Sequence, residues 1–159
     1  MSRLRDESGV VGGLEVLPFG VLVFVVGTLI VANGWAVIDA KLAASAAARE
    51  AARTFVESDA GTASEAWGEA QRAAHEALTG HGRSPARADV HPLGPLRLER
   101  CFRATVEVSY RVAAVVVPWV GGFGDGFTAS ARHSEIVDPY RDGVPRQPGT
   151  DGVVCDAGS

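Results

Sequence analysis

The apolar residues of this chain are concentrated near its N-terminus. Residues 16–37 contain no charged side chain, and a helix of that length spans about 33 Å, the thickness of a bilayer core. The run is longer than the apolar part of a secretory signal. A core helix of this length rarely lacks a polar face. The pattern therefore predicts a single membrane span.

The helical pattern continues beyond the apolar run. Residues 39–58 are rich in alanine and contain no glycine or proline, which favours a helix. We expect one rod from about residue 14 to residue 57, with Arg53 and Glu57 paired on its surface. A polar stripe recurs every four residues at Lys41, Ser45, Arg49 and Arg53. An apolar stripe, which must cover this chain's own domain or a neighbour, comprises Ala44, Ala48, Ala51, Ala52 and Phe55.

A second helix is predicted after the break at residues 58–62. Thr62 and Glu65 have the spacing of a capping box. The apolar residues that follow have helical spacing, with Trp67 and Leu78 as the expected anchors, and Gly80 is the expected C-cap.

The period then changes to that of β-strands. Apolar and polar residues alternate from Leu96 to Val112. This length exceeds an ordinary strand, so we expect a bend near Cys101. A short strand is expected near Arg87–His91, and residues 127–138 predict a strand antiparallel to the long one. The predicted fold class is α+β: a long N-terminal transmembrane helix that extends into a small head with a second helix and an antiparallel β-sheet.

The charge distribution and the motifs of the chain argue against several classes of function. The net charge is −4, acids and bases are interspersed, and no basic block indicates nucleic-acid binding. The four histidines have no metal-ligand spacing, and no GxSxG, HExxH or P-loop motif occurs. The glycines of "GGFGDG", residues 121–126, and the acids Asp138 and Asp142 are interpreted as turns. We therefore expect no catalytic residue, no metal site and no cofactor.

The two cysteines bear on the compartment. Neither Cys101 nor Cys155 has a Cys or His partner at zinc-ligand spacing. If the C-terminal part lies outside the cytoplasm, a disulfide is favoured over two unrelated thiols. Basic residues flank the span on both sides and do not decide its orientation. The short N-terminal tail and the large cysteine-bearing domain favour a cytoplasmic N-terminus.

Small residues and one acid mark the apolar segment. Glycines recur every seven residues at Gly13, Gly20, Gly27 and Gly34. They indicate either a packing seam for another helix or the general frequency of glycine in membrane helices. Thr28 and Asn33 can bond between helices or to their own turn. Glu15 is costly in hydrocarbon unless it has a partner or lies near the headgroups.

The order of these features resembles type IV pilins and pseudopilins: a charged leader, Gly9, Glu15, and an apolar helix that continues past the membrane. With "AAREAAR" at 47–53 and "VSYRVAAVVVPWVGGFGDGFTASARHSEIVDPYR" at 108–141, the chain resembles the TadE family of Tad (Flp-type) pilus-assembly proteins. The resemblance implies a minor pilin or pseudopilin of the bacterial inner membrane, with an extracytoplasmic C-terminal domain.

The same resemblance implies the partners and the processing site. The partners would be other pilin-like subunits, the Tad assembly platform, prepilin peptidase and membrane lipid. Cleavage would fall between Gly9 and Val10, and Glu15 would pair with the N-terminal amine of a neighbouring subunit. Glu15 would then be the sixth mature residue, one later than is usual in the family.

The expected organisation has five parts: a leader at 1–9, a transmembrane helix at 10–38, its extracytoplasmic extension at 39–58, an α+β head at 59–138, and a flexible tail at 139–159. The leading hypothesis is a structural subunit of pilus assembly. One alternative is an unprocessed, membrane-anchored module whose head binds an envelope component. Another is an anchored enzyme whose site has no recognisable motif.

Overall fold

The computed structural model describes residues 16–114, 126–145 and 155. It contains helices α1 (Val16–Glu57) and α2 (Ala63–Gly80), a 3-10 turn (Pro85–Arg87), and strands β1 (Ala88–Pro92), β2 (Arg103–Val112) and β3 (Phe127–Ile136). The predictions for Gly9, Val10, Gly13 and Glu15 lie outside the described residues, as do those for the glycine-rich segment 121–125 and for residues 146–154 of the tail.

Helix α1 is one continuous rod of 42 residues that ends at Glu57, as predicted. Most of its first half is exposed, although Asn33 is buried and Ala36 packs against the core, whereas its second half buries one face. That face contains the predicted apolar stripe and further alanines, namely Ala40, Ala43, Ala44, Ala47, Ala48, Ala51, Ala52 and Phe55. The stripe covers the chain's own head, which decides between the two predicted alternatives. Alanine allows the backbone of α1 to approach its neighbours closely.

Helix α2 begins at the predicted cap. The Thr62 hydroxyl accepts a hydrogen bond from the Glu65 backbone N–H at 3.2 Å. The prediction that Gly80 caps the other end is wrong, because Gly80 is still helical. Gly82 has φ +68°, and Arg83 N–H bonds to Leu78 O at 2.9 Å. This is the six-residue closure of a Schellman motif, which needs a left-handed residue that glycine supplies at no steric cost.

The sheet is antiparallel, in the order β1-β2-β3. Strand β3 pairs antiparallel with β2, as predicted, from Arg103 opposite Ile136 to Val112 opposite Phe127. The prediction that β2 extends from residue 96 is wrong, because the strand starts at Arg103. The chain turns at Cys101, whose φ is +68°, so the expected bend ends the regular strand instead of curving it.

The core of the head lies on one face of the sheet. Helix α1 packs against β2, β3 and α2. The inward residues of β2 are Ala104, Val106, Val108, Tyr110 and Val112, and all five are buried. Trp67 of α2 meets Phe55 of α1 edge-to-face, with ring centroids 6.5 Å apart. The α+β class is confirmed. The chain has a long apolar N-terminal helix, a second helix and a three-stranded antiparallel sheet.

Candidate helix-packing surface

The exposed half of α1 is long and apolar enough to cross a membrane. Only 6% of its most apolar 18-residue window is buried within the protein, so this segment is not a core helix of the head. Residues 16–38 span about 35 Å as a helix. Asp39 is the first charged residue after them. The structure thus separates α1 into a mostly exposed apolar half, in which Asn33 is the buried residue, and a half that carries the head.

The predicted glycines that are described lie in open space. A Cβ atom built at Gly20, Gly27 or Gly34 meets no atom within 4 Å. Gly27 lies in a shallow apolar groove lined by Val23, Phe24, Gly27, Thr28, Val31, Ala32 and Trp35. No described part of the head fills these glycine positions, so a second helix has access to them.

Large apolar side chains stand between the glycines. Phe24, Val31 and Trp35 are 74%, 70% and 71% exposed, the highest values among the large apolar residues described in α1. Phe24 and Val31 alternate along the helix with Gly27 and Gly34, at heptad spacing. A bulky side chain next to a glycine notch is the surface that lets one membrane helix pack closely on another.

The polar residues of the apolar half bond within their own turn. Thr28 donates from its hydroxyl to Phe24 O at 2.8 Å, and Asn33 donates from its amide to Leu29 O at 2.9 Å. Such backbone bonds reduce the cost of a polar group in an apolar environment. Of the two predicted roles, these bonds correspond to the one within the helix.

The face of α1 that carries Phe24 and Val31 continues into the second half of the helix. At 100° per residue, Phe24, Val31, Leu42 and Arg49 lie within about 20° of one another around the helix. The alanines that pack against the head lie roughly half a turn away. Arg53 is also on the exposed face and pairs with Glu57 at 3.1 Å, as predicted. We call this continuous strip the outer face of α1. It is apolar in the first half of α1 and, apart from Leu42, polar beside the head.

Two contacts fix the head on α1 where the apolar half ends. Arg83, just after α2, forms an ion pair with Asp39. Its guanidinium lies over the Tyr110 ring, 5.8 Å from the centroid. The hydrogen bond to Asp39 raises the pKa of Arg83 above its ordinary value, although desolvation opposes this. Lys41 donates to the Ser130 carbonyl of β3 at 2.5 Å.

The C-terminal end of α1 is held by residues 139–145, which we call the C-terminal segment. Arg141 donates from its guanidinium to the carbonyl of Val56, in the last turn of α1, and to that of Ser58, directly after the helix. Positive groups are favourable at this end of a helix. The segment itself is held by Arg100 N–H bonding to Pro145 O at 2.8 Å. Cys101 and Cys155 form the expected disulfide, with Cα atoms 5.0 Å apart.

The outward face of the sheet carries a polar row. His91, Glu107 and Arg132 lie opposite one another on the three strands. Glu107 is 3.1 Å from Arg132 Nε and 3.3 Å from His91 Nε2. The hydrogen bond from Arg132 lowers the pKa of Glu107, and the charges of Arg132 and His91 act in the same direction. Within the described ranges, no three His, Cys, Asp or Glu residues converge as metal ligands would.

Comparison with known proteins gives no family. The chain matches no protein-family model, and no curated protein or solved structure is significantly similar to it. Any functional conclusion therefore depends on the residues and the geometry described above.

Sequence reasoning missed the residues that attach the head to α1. No sequence pattern pairs Asp39, Arg83 or Arg141 with its partner, because the partners are 44 to 85 positions away. The Glu107–Arg132 pair could have been predicted from the sequence. Once β2 and β3 are aligned as a hairpin, the register brings these two charges opposite one another.

Proposed function

We propose that this protein is a membrane-anchored minor pilin or pseudopilin that acts in assembly of a Tad-type type IV pilus. It would reside in the bacterial inner membrane with its N-terminus in the cytoplasm and its head outside. Its apolar half would pack laterally with the membrane helices of other pilin-like subunits. The head would not catalyse a reaction.

The observation that carries the proposal is the outer face of α1. It runs along the helix on the side opposite the head, so a neighbouring helix can approach it without meeting this chain's own sheet. In the membrane it alternates exposed Phe24 and Val31 with Gly27 and Gly34. Two copies offset by half a heptad would place a large side chain of one opposite a glycine of the other.

The rigidity of α1 supports the same role. The helix is continuous from the apolar half into the head, so an axial shift of one half moves the other. Asp39, Lys41 and the Arg141 contacts hold the head at both ends of the second half of α1. A subunit whose position is set by helix packing needs this fixed relation between its membrane segment and its head.

The disulfide fits the proposed location. Bonds of this kind persist in oxidising compartments and are rare in the cytosol. In the part of the chain that the structure describes, both cysteines are bonded and neither is free. This supports an extracytoplasmic head.

Single-cysteine cross-linking tests the lateral contact. Because the native cysteines are bonded to each other, one introduced cysteine reports on association alone. Val31→Cys lies on the outer face, and Val26→Cys lies about 140° away around the helix. Oxidation in native membranes is expected to cross-link Val31→Cys, to a second copy or to another subunit, and to leave Val26→Cys monomeric. Equal yields at the two positions contradict the proposal.

The mature N-terminus tests the pilin assignment itself. Intact mass and N-terminal sequencing of protein from cells with active prepilin peptidase should show loss of residues 1–9, and Gly9→Ala should prevent it. A chain that retains Met1 or Ser2 and does not cross-link through α1 favours the anchored binding module.

A further inference from the structure

The end of the head nearest the apolar half of α1 is defined by contacts on three elements. Asp39 binds Arg83, and Arg83 covers Tyr110 near the end of β2. Lys41 binds Ser130 near the start of β3. Ile38, the last residue of the apolar half, is 57% exposed. These contacts place the last residues of β2 and the first residues of β1 and β3 beside the point on α1 where its apolar half ends.

Two arginines extend this end further towards the apolar half. Tyr110 pairs with Ala88, so Arg87 and Arg111 each lie one residue beyond that pair. For Arg111, which is in β2, one strand residue is an advance of about 3.3 Å. Both arginines are exposed, and neither forms an ion pair with any residue in the described ranges.

The charges of the described residues at this end are mainly positive. We call Lys41, Arg83, Arg87 and Arg111 the basic end of the head. Among the described residues, the carboxylates beside it are Asp39 and Asp89, and Asp39 is paired with Arg83. Lys41 bonds to a neutral carbonyl, so its charge is not compensated by that contact. The basic end therefore has cationic groups available for an anionic partner.

The position of Trp35 indicates what that partner is. Trp35 is 71% exposed and lies about 6 Å along the helix before Asp39. Tryptophan is enriched at the boundary between hydrocarbon and headgroups. A helix that places Trp35 at this boundary brings Arg87 and Arg111 to the depth of the lipid phosphates.

We propose that the basic end of the head rests on the headgroups of anionic phospholipids in the leaflet from which α1 emerges. Each basic side chain near such a surface contributes about 1 kcal/mol, or roughly a fivefold preference for a charged surface. The contact would fix the depth and rotation of the head about α1. It depends on α1 spanning a membrane but not on pilus assembly.

Lipid selectivity of the full chain tests the contact. The protein is reconstituted in bilayers of phosphatidylcholine that contain phosphatidylglycerol as the anionic lipid. Electron spin resonance then compares the association of spin-labelled forms of the two lipids. Wild type is expected to favour phosphatidylglycerol several-fold at low salt. Arg87→Gln/Arg111→Gln should lose most of this preference, and high salt should abolish it in wild type.

The matched control removes two arginines from the opposite end of the head. Arg97 and Arg103 are also exposed, and Arg103 begins β2 at the end remote from Tyr110. Arg97→Gln/Arg103→Gln should keep the wild-type selectivity. The proposal is overturned if wild type has no preference, or if the two double variants lose it equally. Helix packing is tested separately, by cross-linking Val31→Cys in the Arg87→Gln/Arg111→Gln variant. Failure of the lipid-contact proposal therefore does not imply failure of the helix-packing proposal, or the reverse.

Discussion

Arg141 donates a hydrogen bond to the carbonyl oxygen of Val56, which precedes it by 85 positions in the sequence. The same guanidinium bonds to Ser58 O and lies 3.4 Å from a carboxylate oxygen of Asp59. A residue of the C-terminal segment thus supplies the cap that α1 lacks in its own sequence, since the last turn of α1 contains no basic residue. The C-terminal segment and the long helix are therefore energetically coupled.

Arg141→Ala should lower the free energy of unfolding of the head by about 2 kcal/mol, because hydrogen bonds to charged groups contribute about 1.5–3 kcal/mol and the Val56 and Ser58 carbonyls lose their donor. Urea unfolding of the full chain in detergent, followed by tryptophan fluorescence, measures the change. Arg97→Ala is the control and should change stability by less than about 0.5 kcal/mol. Equal stability of Arg141→Ala and wild type would show that the cap is not needed.

The disulfide is expected to dominate the stability of the C-terminal segment. Cys101 and Cys155 are 54 positions apart, and closing a loop of that length stabilises the folded state by about 4 kcal/mol in the chain-entropy model. Cys101→Ser/Cys155→Ser should lower the free energy of unfolding by about that amount. Alkylation of the native extracytoplasmic protein without reductant should label no thiol. Two labelled thiols per chain would contradict the bond.

Gly27→Leu should weaken self-association of α1, because the new side chain fills the notch that a neighbouring helix would use. Overpacking costs about 1–3 kcal/mol, which energy transfer between labelled copies in bilayers can measure. Val26→Phe is the matched control, since it also adds four carbons but lies on the other side of the helix from Phe24. The helix-packing hypothesis fails if Val26→Phe has the larger effect.

Acid should destabilise the head through Glu107. Its pKa is lowered in the folded state by Arg132 and His91, so the ionised carboxylate stabilises the fold at pH values above the ordinary glutamate pKa of about 4.3. This contribution is lost as the pH falls from there through the lowered pKa. Glu107→Gln should be less stable than wild type at neutral pH, and the difference should shrink in acid. A difference independent of pH would contradict this assignment.

The periodicities of the sequence were enough to predict the elements of the fold. The apolar run and the alanine-rich stretch predicted the last residue of α1, because residues 19–57 contain no proline that would end the helix earlier. The Thr62 cap and the alternation in β2 and β3 are also local signals. The errors at Gly80 and at residues 96–102 occurred at element ends. There, a choice between neighbouring glycines, or between a strand and a turn, depends on which hydrogen bonds the tertiary structure completes.

The candidate packing surface was predicted only in part. The glycine period indicated a seam, but sequence alone does not show whether the head covers it. The position of the head around α1 decides this, and the buried face from Ala40 to Phe55 leaves the outer face open. The basic end and the Arg141 cap were not predicted, because their residues come together only when α2, β2 and the C-terminal segment pack against α1.

The sequence by itself determined that the chain has one long apolar helix, a second amphipathic helix and an antiparallel sheet, since each depends on a local repeat of apolar residues. Only the tertiary structure decided which side of α1 remains free, where the head sits along it, and which charges meet. These properties arise from contacts between residues far apart in the chain, such as Asp39 with Arg83 and Val56 with Arg141. No local pattern encodes such contacts, because their geometry exists only after the helices and strands have packed.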